Sequence, residues 1–266
     1  MPSCAILYYS TTGNTKLACE YLSNRIPQVD FYLFDMKDLS NFDPSPYTFV
    51  GFATFTDYQA PPRYFADAVK DLDPSNRKEA FVLATYAGIS GKVLKTMKDL
   101  VEERGYKVIT GHCLLMPENN PVMRKRGYKA KNNPKEKELE GYRQFIRHLG
   151  DLIITKHLKG SVEPDKIKVG LFNSLLPSKI RTNRLKGIGK MRADLDICDR
   201  SGTCVENCAY GAITMQDGPV FDEKKCHACF ACYNLCPVGA ITCEKLSSVE
   251  YRYPGPSEDL KKRMSY

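Results

Sequence analysis

Seven of the eleven cysteines lie between residues 198 and 236, and their spacing is typical of a metal site. The second half of this group reads C-x2-C-x2-C-x3-C-P, and its residues are Cys226, Cys229, Cys232, Cys236 and Pro237. Three thiolates two residues apart on a tight loop can wrap three irons of a cubane cluster. A structural zinc site uses four ligands from two C-x2-C pairs, so seven thiols exceed its requirement. The spacing therefore predicts iron–sulfur clusters.

The cysteine group is an internal repeat. A shift of 28 residues places Cys198, Cys204 and Cys208 on Cys226, Cys232 and Cys236, and Gly-Ala-Ile-Thr follows in both copies. The first copy has Ser201 where the second has Cys229. Neither copy has enough thiols in one place to complete a cluster alone, so we expect folding to be coupled to metal binding.

This segment resembles the bacterial-type two-cluster ferredoxins, in which the fourth cysteine of each run ligates the other cluster. The resemblance implies one cluster on Cys226, Cys229, Cys232 and Cys208, and another on Cys198, Cys204 and Cys236. The second set lacks one thiolate, at Ser201. A serine hydroxyl is a weak ligand for soft iron, so we expect a labile or three-iron cluster there. Serine alkoxide ligation, a water-bound iron and a complete 4Fe-4S cluster are the alternatives.

A second polar cluster follows the first apolar run, residues 4–9. It contains four hydroxyl side chains and a glycine just before a helical pattern, and its residues are Ser10, Thr11, Thr12, Gly13, Asn14 and Thr15. The free N–H groups of a helix start, together with these hydroxyls, suit a phosphate group. Ordinary helix capping needs one such hydroxyl. The motif is neither G-x-G-x-x-G nor a G-K-[ST] loop.

The elements around this loop alternate between strand and helix patterns. We predict strands over residues 4–9, 29–35, 47–54, 80–86 and 107–115. We predict helices over residues 14–24, 63–72, 92–105 and 135–158. Alternation of this kind predicts an α/β domain with a doubly wound, five-stranded parallel sheet.

Residues 4–115, with the loop 10–15, resemble the flavodoxins, which bind FMN phosphate at that turn. The resemblance implies that two further loops flank the flavin ring: Thr54, Phe55, Thr56, Asp57 and Tyr58 after the third strand, and Tyr86, Ala87, Gly88, Ile89, Ser90 and Gly91 after the fourth. Phe55, Tyr58 or Tyr86 would stack on the ring, although each also suits a core position. The resemblance also implies a peptide in the first loop that flips to hydrogen-bond the half-reduced ring. No glycine lies between Gly51 and Gly88, so this flip would be strained and we expect a weakly stabilised semiquinone.

Charge and composition suggest the domain limits. We predict a flavodoxin-like domain over residues 1–158, a basic linker over 159–191 and a small α+β ferredoxin-like domain over 192–266. Residues 166–192 hold eight Lys or Arg and no acid, in a chain of net charge +8. This basic segment is either solvated surface or a docking patch for an acidic partner. Residues 116–134 are either a lid over the flavin, with Asn119 near it, or a docking arm.

The whole chain resembles the flavodoxin-like and two-cluster ferredoxin fusion proteins of anaerobes. The resemblance implies electron transfer between FMN and two Fe-S clusters, with redox proteins as partners and no catalytic side chain. An FMN-dependent reductase of a small molecule and a redox-sensing interaction protein are the alternatives. We expect a cytoplasmic protein, since the sequence shows no apolar run that could span a membrane and no signal peptide, and no nucleic-acid module. The oligomeric state is left open.

Overall fold

The computed structural model describes residues 1–39, 41–128, 130–167, 173, 175, 176, 178–181, 188–247 and 249–265. The basic linker predicted over residues 159–191 therefore lies partly outside the described residues. The elements below are those of the described part of the chain.

Five parallel strands form the main sheet. They are β1 (Ser3–Tyr8), β2 (Asp30–Asp35), β3 (Phe49–Phe55), β4 (Glu79–Tyr86) and β5 (Lys107–Leu115). Their order is β2-β1-β3-β4-β5, and every neighbouring pair is parallel. This is the flavodoxin-like doubly wound order, which confirms the predicted class. Each strand begins and ends within two residues of its predicted limits.

Helices cover both faces of the sheet. They are α1 (Asn14–Ser23), α2 (Arg63–Asp71), α3 (Val93–Glu103), α4 (Pro121–Lys125) and α5 (Glu136–Lys159). Helices α1 and α5 pack on one face, and α2 and α3 pack on the other. The apolar stripe of α5, including Tyr142 and Leu149, is buried, as its helical spacing predicts. Each such side chain contributes about 1.5–3 kcal/mol through burial.

The cysteine repeat forms a second, smaller body with its own core. Its elements are β6 (Met191–Ala193), α6 (Thr203–Glu206), β7 (Ile213–Met215), β8 (Pro219–Phe221), α7 (Ala231–Leu235) and β9 (Ile241–Cys243). The 28-residue shift lays β6 on β8 and β7 on β9. Strand β6 pairs with β9, and β7 pairs with β8, both antiparallel. Each small sheet therefore contains one strand from each copy, so neither copy can form its sheet alone.

The segment after β9 returns to the first domain. Its helix α8 (Glu258–Arg263) is capped by Ser257, whose Oγ accepts a hydrogen bond from Leu260 N at 3.2 Å. Leu260 and Met264 are buried in the core that α1 and α5 form against the main sheet. Residues 249–264 thus tie the cysteine-containing body to the sheet.

Candidate functional site

A cavity of about 490 Å³ lies at the carboxyl ends of the parallel strands, between β1 and β3, where this fold places its ligands. Thirteen of the seventeen residues predicted to bind a flavin line it. They are Ser10, Thr11, Thr12, Asn14, Thr15, Phe55, Thr56, Asp57, Tyr58, Tyr86, Ala87, Gly88 and Ile89. The other four, Gly13, Thr54, Ser90 and Gly91, belong to the same loops but do not line the cavity. The sequence pattern thus brings three separate loops to one cavity.

The loop 10–15 is shaped for an anionic group. Gly13 has φ 92°, which lets the chain turn into helix α1, and its N–H donates to Ser10 Oγ at 3.1 Å. Thr15 Oγ1 hydrogen-bonds Thr85 Oγ1 on strand β4 at 2.9 Å, so the loop is fixed to the sheet. The first turn of α1 contains no acidic residue. The unpaired N–H groups and positive end of this ten-residue helix therefore have no carboxylate of their own first turn to compete with an anion.

The loop after β3 makes a tight turn without glycine. Tyr58 and Gln59 have φ values of 51° and 72°, and Asp57 and Ala60 exchange backbone hydrogen bonds at 2.8 and 3.4 Å. Two successive left-handed residues characterise a type I′ turn, which normally uses Asn or Gly. Both residues therefore adopt a backbone conformation that is strained for their side chains, while the weakly stabilised semiquinone stays a prediction.

Two polar atoms of this loop are oriented for a ligand. Thr56 Oγ1 and Gln59 Oε1 are buried, and neither has a hydrogen-bond partner among the residues that the structure describes. A buried polar atom without a partner costs about 1–3 kcal/mol. Both residues line the cavity. A ligand whose edge carries hydrogen-bonding groups would satisfy them, so the loop fits a flavin ring.

The aromatic residues predicted to stack on a ring are in different settings. The Arg181 guanidinium lies 3.3 Å from the centroid of the Tyr58 ring and covers one of its faces. Phe55 packs against Tyr9, with ring centroids 5.6 Å apart. Tyr86 is half-buried in the cavity wall, and burial raises its pKa, so its hydroxyl stays protonated.

The segment 116–134 closes the cavity and also contacts the cysteine-containing body. Sequence reasoning named only Asn119 from it, but its lining residues are Met116, Pro117, Glu118, Asn119, Asn120, Met123 and Tyr128. The Tyr128 hydroxyl donates to the Ala87 carbonyl across the opening. Arg124 Nε donates to the Tyr251 carbonyl at 2.9 Å. The segment therefore contacts both the cavity and the rest of the chain, whereas its role as a lid or as a docking arm for a partner protein stays a prediction.

The cysteines surround two internal cavities. Cys208, Cys226, Cys229 and Cys232 line the first, and Cys198, Cys204, Cys236 and Ser201 line the second. These are the sets that the ferredoxin resemblance implies. Among the described residues, no three His, Cys, Asp or Glu side chains converge closely enough to hold a single metal ion. Four thiols around a cavity suit a multi-iron group, whose ligands bind different irons.

Backbone hydrogen bonds to sulfur follow the repeat as well. Ala212 N–H donates to Cys208 Sγ at 3.3 Å, and Ala240 N–H, 28 residues later, donates to Cys236 Sγ at 3.2 Å. Such bonds stabilise thiolate ligands and tune the potential of a cluster. Burial raises the pKa of the Cys232 thiol well above its usual range, so it needs the positive charge of a metal to ionise.

The first cluster cavity shares a wall with the large cavity. Cys229 and Phe230 line both. Phe230 is 2% exposed and has φ 64°, a conformation that is strained for an aromatic residue. The equivalent residue of the first copy is Gly202, with φ 77°. An aromatic ring therefore occupies the position between the two cavities, where the repeat otherwise has glycine.

A buried contact supports this wall. His227 Nε2 lies 3.4 Å from Asp57 Oδ2, and the Tyr210 ring stacks on His227 with a centroid distance of 4.8 Å. His227 follows Cys226, whereas Asp57 belongs to the loop after β3. The His227 side chain is only 2% exposed, because the first domain covers it.

Comparisons with known proteins found matches for different parts of the chain. Residues 190–237 match the family model described as a 4Fe-4S dicluster domain. The indolepyruvate oxidoreductase subunit IorA of Methanothermobacter thermautotrophicus is 31% identical over 85 residues, which are 32% of this chain and 13% of that protein. The chain thus spans only a small part of the curated relative that it matches.

Several solved structures are similar to the first domain. A flavodoxin from the domain Archaea covers 57% of this chain and 99% of its own, with 17% identity and a TM-score of 0.40. Oxidised flavodoxin 2 from Bacillus cereus covers 56% and 98%, with 14% identity and a TM-score of 0.43. Rubredoxin oxygen:oxidoreductase from Desulfovibrio gigas covers 58% and 37%, with 14% identity and a TM-score of 0.44.

Because these TM-scores are all below 0.5, the fold assignment does not rest on these structures. It rests on the strand order β2-β1-β3-β4-β5. No helix within the described residues has the length and apolarity that crossing a bilayer requires. The strand order of the first half and the family match of the second show a flavodoxin-like domain fused to a 4Fe-4S dicluster domain.

Proposed function

We propose that the chain transfers electrons between FMN, bound in the 490 Å³ cavity, and two iron–sulfur clusters in the cysteine-containing body. The observation that carries the proposal is the wall formed by Cys229 and Phe230, which line both the large cavity and a cluster cavity. A cluster ligand at the wall of a flavin site gives electrons a short path. The proposed domain limits remain 1–158, 159–191 and 192–266.

Each part of the cavity has a role in this proposal. The N–H groups and hydroxyls of the loop 10–15 bind the phosphate, and Thr56 and Gln59 bind the polar edge of the ring. Tyr128 and Phe230 both line the cavity and exclude water from it. FMN, when bound, supplies the conversion between one-electron and two-electron transfer. Electron transfer forms and breaks no covalent bond in the protein, so the proposal assigns no acid or base residue.

The two clusters differ in their ligands. Cys208, Cys226, Cys229 and Cys232 would hold a complete 4Fe-4S cluster next to the flavin. Cys198, Cys204 and Cys236 would hold the second, and the exposed Ser201 leaves it one thiolate short. The cluster near Ser201 is therefore the one that exchanges electrons with a redox partner protein.

Anaerobic purification tests the proposal. We expect about one FMN per chain together with iron and acid-labile sulfide, and a sample that is yellow-brown. Reduction with less than one equivalent of dithionite should bleach both the flavin and the cluster absorbance, because electrons redistribute between them. A colourless protein would rule out the function. A protein with clusters but no measurable affinity for FMN would rule out the role of the large cavity.

A further inference from the structure

A network of buried hydrogen bonds joins helix α7 to the loop 10–15. Helix α7 contains Cys232 and ends just before Cys236, and its Asn234 is 1% exposed. Asn234 Nδ2 donates to the Asn119 carbonyl at 2.9 Å. Asn234 Oδ1 accepts from Tyr253 N–H at 3.0 Å. One side chain of the cluster helix thus holds two other segments, 116–134 and 249–264.

Both segments contact the phosphate loop directly. Asn119 Nδ2 donates to Thr12 Oγ1 at 3.0 Å, and the Tyr253 hydroxyl donates to Asn14 Oδ1 at 2.6 Å. Thr12 and Asn14 are buried residues of the cavity wall. Burial raises the pKa of Tyr253 above its usual range, so the hydroxyl keeps the proton that it donates. Asn234 is therefore linked to the loop 10–15 by two independent paths.

The ferredoxin repeat itself does not require an asparagine here. The residue 28 positions earlier is Glu206, which is exposed. The neighbouring Asn207, which caps the equivalent helix α6 of the first copy, donates through Nδ2 to the Thr203 carbonyl of that helix at 2.9 Å. The bonds of Asn234 therefore serve the contact between the two bodies.

We propose that Asn234 is a positioning residue through which assembly of the two clusters sets the affinity of the loop 10–15 for FMN. The inference rests on the proposed function, because it assumes that FMN binds there. With both clusters in place, Cys232 of the first and Cys236 of the second hold the two ends of α7, and Asn234 holds Asn119 and Tyr253 in position. Without the clusters, α7 loses these constraints and the loop loses both supports. Because coupling between two sites is reciprocal, bound FMN should also raise the equilibrium affinity of the protein for its clusters.

The test is the dissociation constant of FMN, measured anaerobically by quenching of flavin fluorescence. We expect Asn234→Ala to weaken FMN binding about tenfold in cluster-loaded protein, because two buried hydrogen bonds to the loop supports are lost. Tyr253→Phe should weaken it by about threefold to tenfold, since one path is lost. Asn207→Ala is the matched control and should bind FMN as the wild type does. Iron and sulfide contents should be the same in all four proteins.

Removal of the clusters completes the test. The cluster-free wild type should bind FMN about as weakly as cluster-loaded Asn234→Ala, and removing the clusters from that variant should weaken binding no further. Equal losses in both proteins, or wild-type affinity in cluster-loaded Asn234→Ala, would overturn the inference while leaving the proposed function intact. Absence of FMN binding in the wild type would overturn both. Tyr253→Phe leaves α7 unchanged, so it decides the question even where Asn234→Ala lowers the iron content.

Discussion

Ser201 and Cys229 occupy equivalent positions, 28 residues apart, in loops with the same backbone conformation. The residues before them, Arg200 and Ala228, both have φ 54°, and the residues after them, Gly202 and Phe230, are both left-handed. The backbone therefore presents Ser201 to the second cluster cavity in the way that it presents Cys229 to the first. The missing thiolate is a change of one atom at a preserved ligand position.

This relationship predicts the effect of restoring the thiol. We expect wild-type protein to contain about seven irons and about eight sulfides per chain, and Ser201→Cys to contain about eight of each. The variant should also lose the electron paramagnetic resonance signal of an oxidised three-iron cluster. Ser201→Ala is the control and should keep the wild-type iron content. A wild type with about eight irons would show that the serine position supports a complete cluster.

Substitution of Phe230 should change the redox potential of the first cluster. Phe230→Gly suits the left-handed backbone but opens the wall between the cluster cavity and the large cavity. Water that enters stabilises the extra negative charge of the reduced cluster, so the midpoint potential should rise by roughly 50 mV. A redox titration followed by electron paramagnetic resonance measures this. Phe230→Leu keeps an apolar plug and should shift the potential less; an equal shift in both variants would contradict a sealing role.

Replacement of Gly91 should lower the stability of the protein. A Cβ atom there would lie 2.2 Å from Gln59 Cβ, and its φ of +59° disfavours any other residue. Gly91→Ala should therefore destabilise the protein by about 2 kcal/mol or more, because the loops after β3 and β4 must separate. The control is Gly88→Ala, whose Cβ would only touch Tyr128 at 3.6 Å. Thermal unfolding followed by circular dichroism should show a lower Tm for Gly91→Ala alone.

Burial of His112 should make the stability of the protein depend on pH. Its ring stacks against both Tyr142 and Phe145, with centroid distances of 5.3 and 5.0 Å, and burial lowers its pKa from 6.5 to about 4. The unfolded chain therefore binds a proton below pH 6.5 that the folded chain does not bind until about pH 4. The free energy of unfolding is highest above pH 6.5 and falls as the pH decreases through this window.

Between pH 7.5 and pH 5.5 the contribution of His112 should amount to about 1 kcal/mol. Urea unfolding of wild type and His112→Phe at both pH values checks it. The variant keeps a ring in the stack, and its unfolding free energy should fall by about 1 kcal/mol less over this range. An identical pH dependence in both proteins would show that another group titrates.

Local pattern was enough to predict the five strands of the main sheet and the helices α1, α2, α3 and α5. The cluster ligands stay a prediction. The strand β4 and the helix α5 follow from apolar periodicity, and the spacing of Cys226, Cys229 and Cys232 has few other physical explanations. The loop 10–15 carries more hydroxyls than a helix cap uses. Each of these signals lies within a few tens of residues, where chain geometry limits the possible contacts.

Contacts between the two bodies could not be predicted in this way. Tyr253 reaches Asn14 across 239 residues of sequence, and Cys229 and Phe230 enter the wall of a cavity formed mainly by the first domain. Neither contact produces a periodic pattern in the sequence, because both contacts depend on how the two folded bodies pack against each other. Phe230 gives one retrospective signal: it stands where the repeat has Gly202, in a left-handed conformation that favours glycine.

The return of residues 249–264 to the first domain has a consequence for biosynthesis. Leu260 and Met264 complete the hydrophobic core of α1 and α5, so that core stays unfinished on the ribosome until both cysteine loops have left the exit tunnel. We therefore expect the sheet domain to reach its full stability only in a chain that has been synthesised through the metal-binding segment.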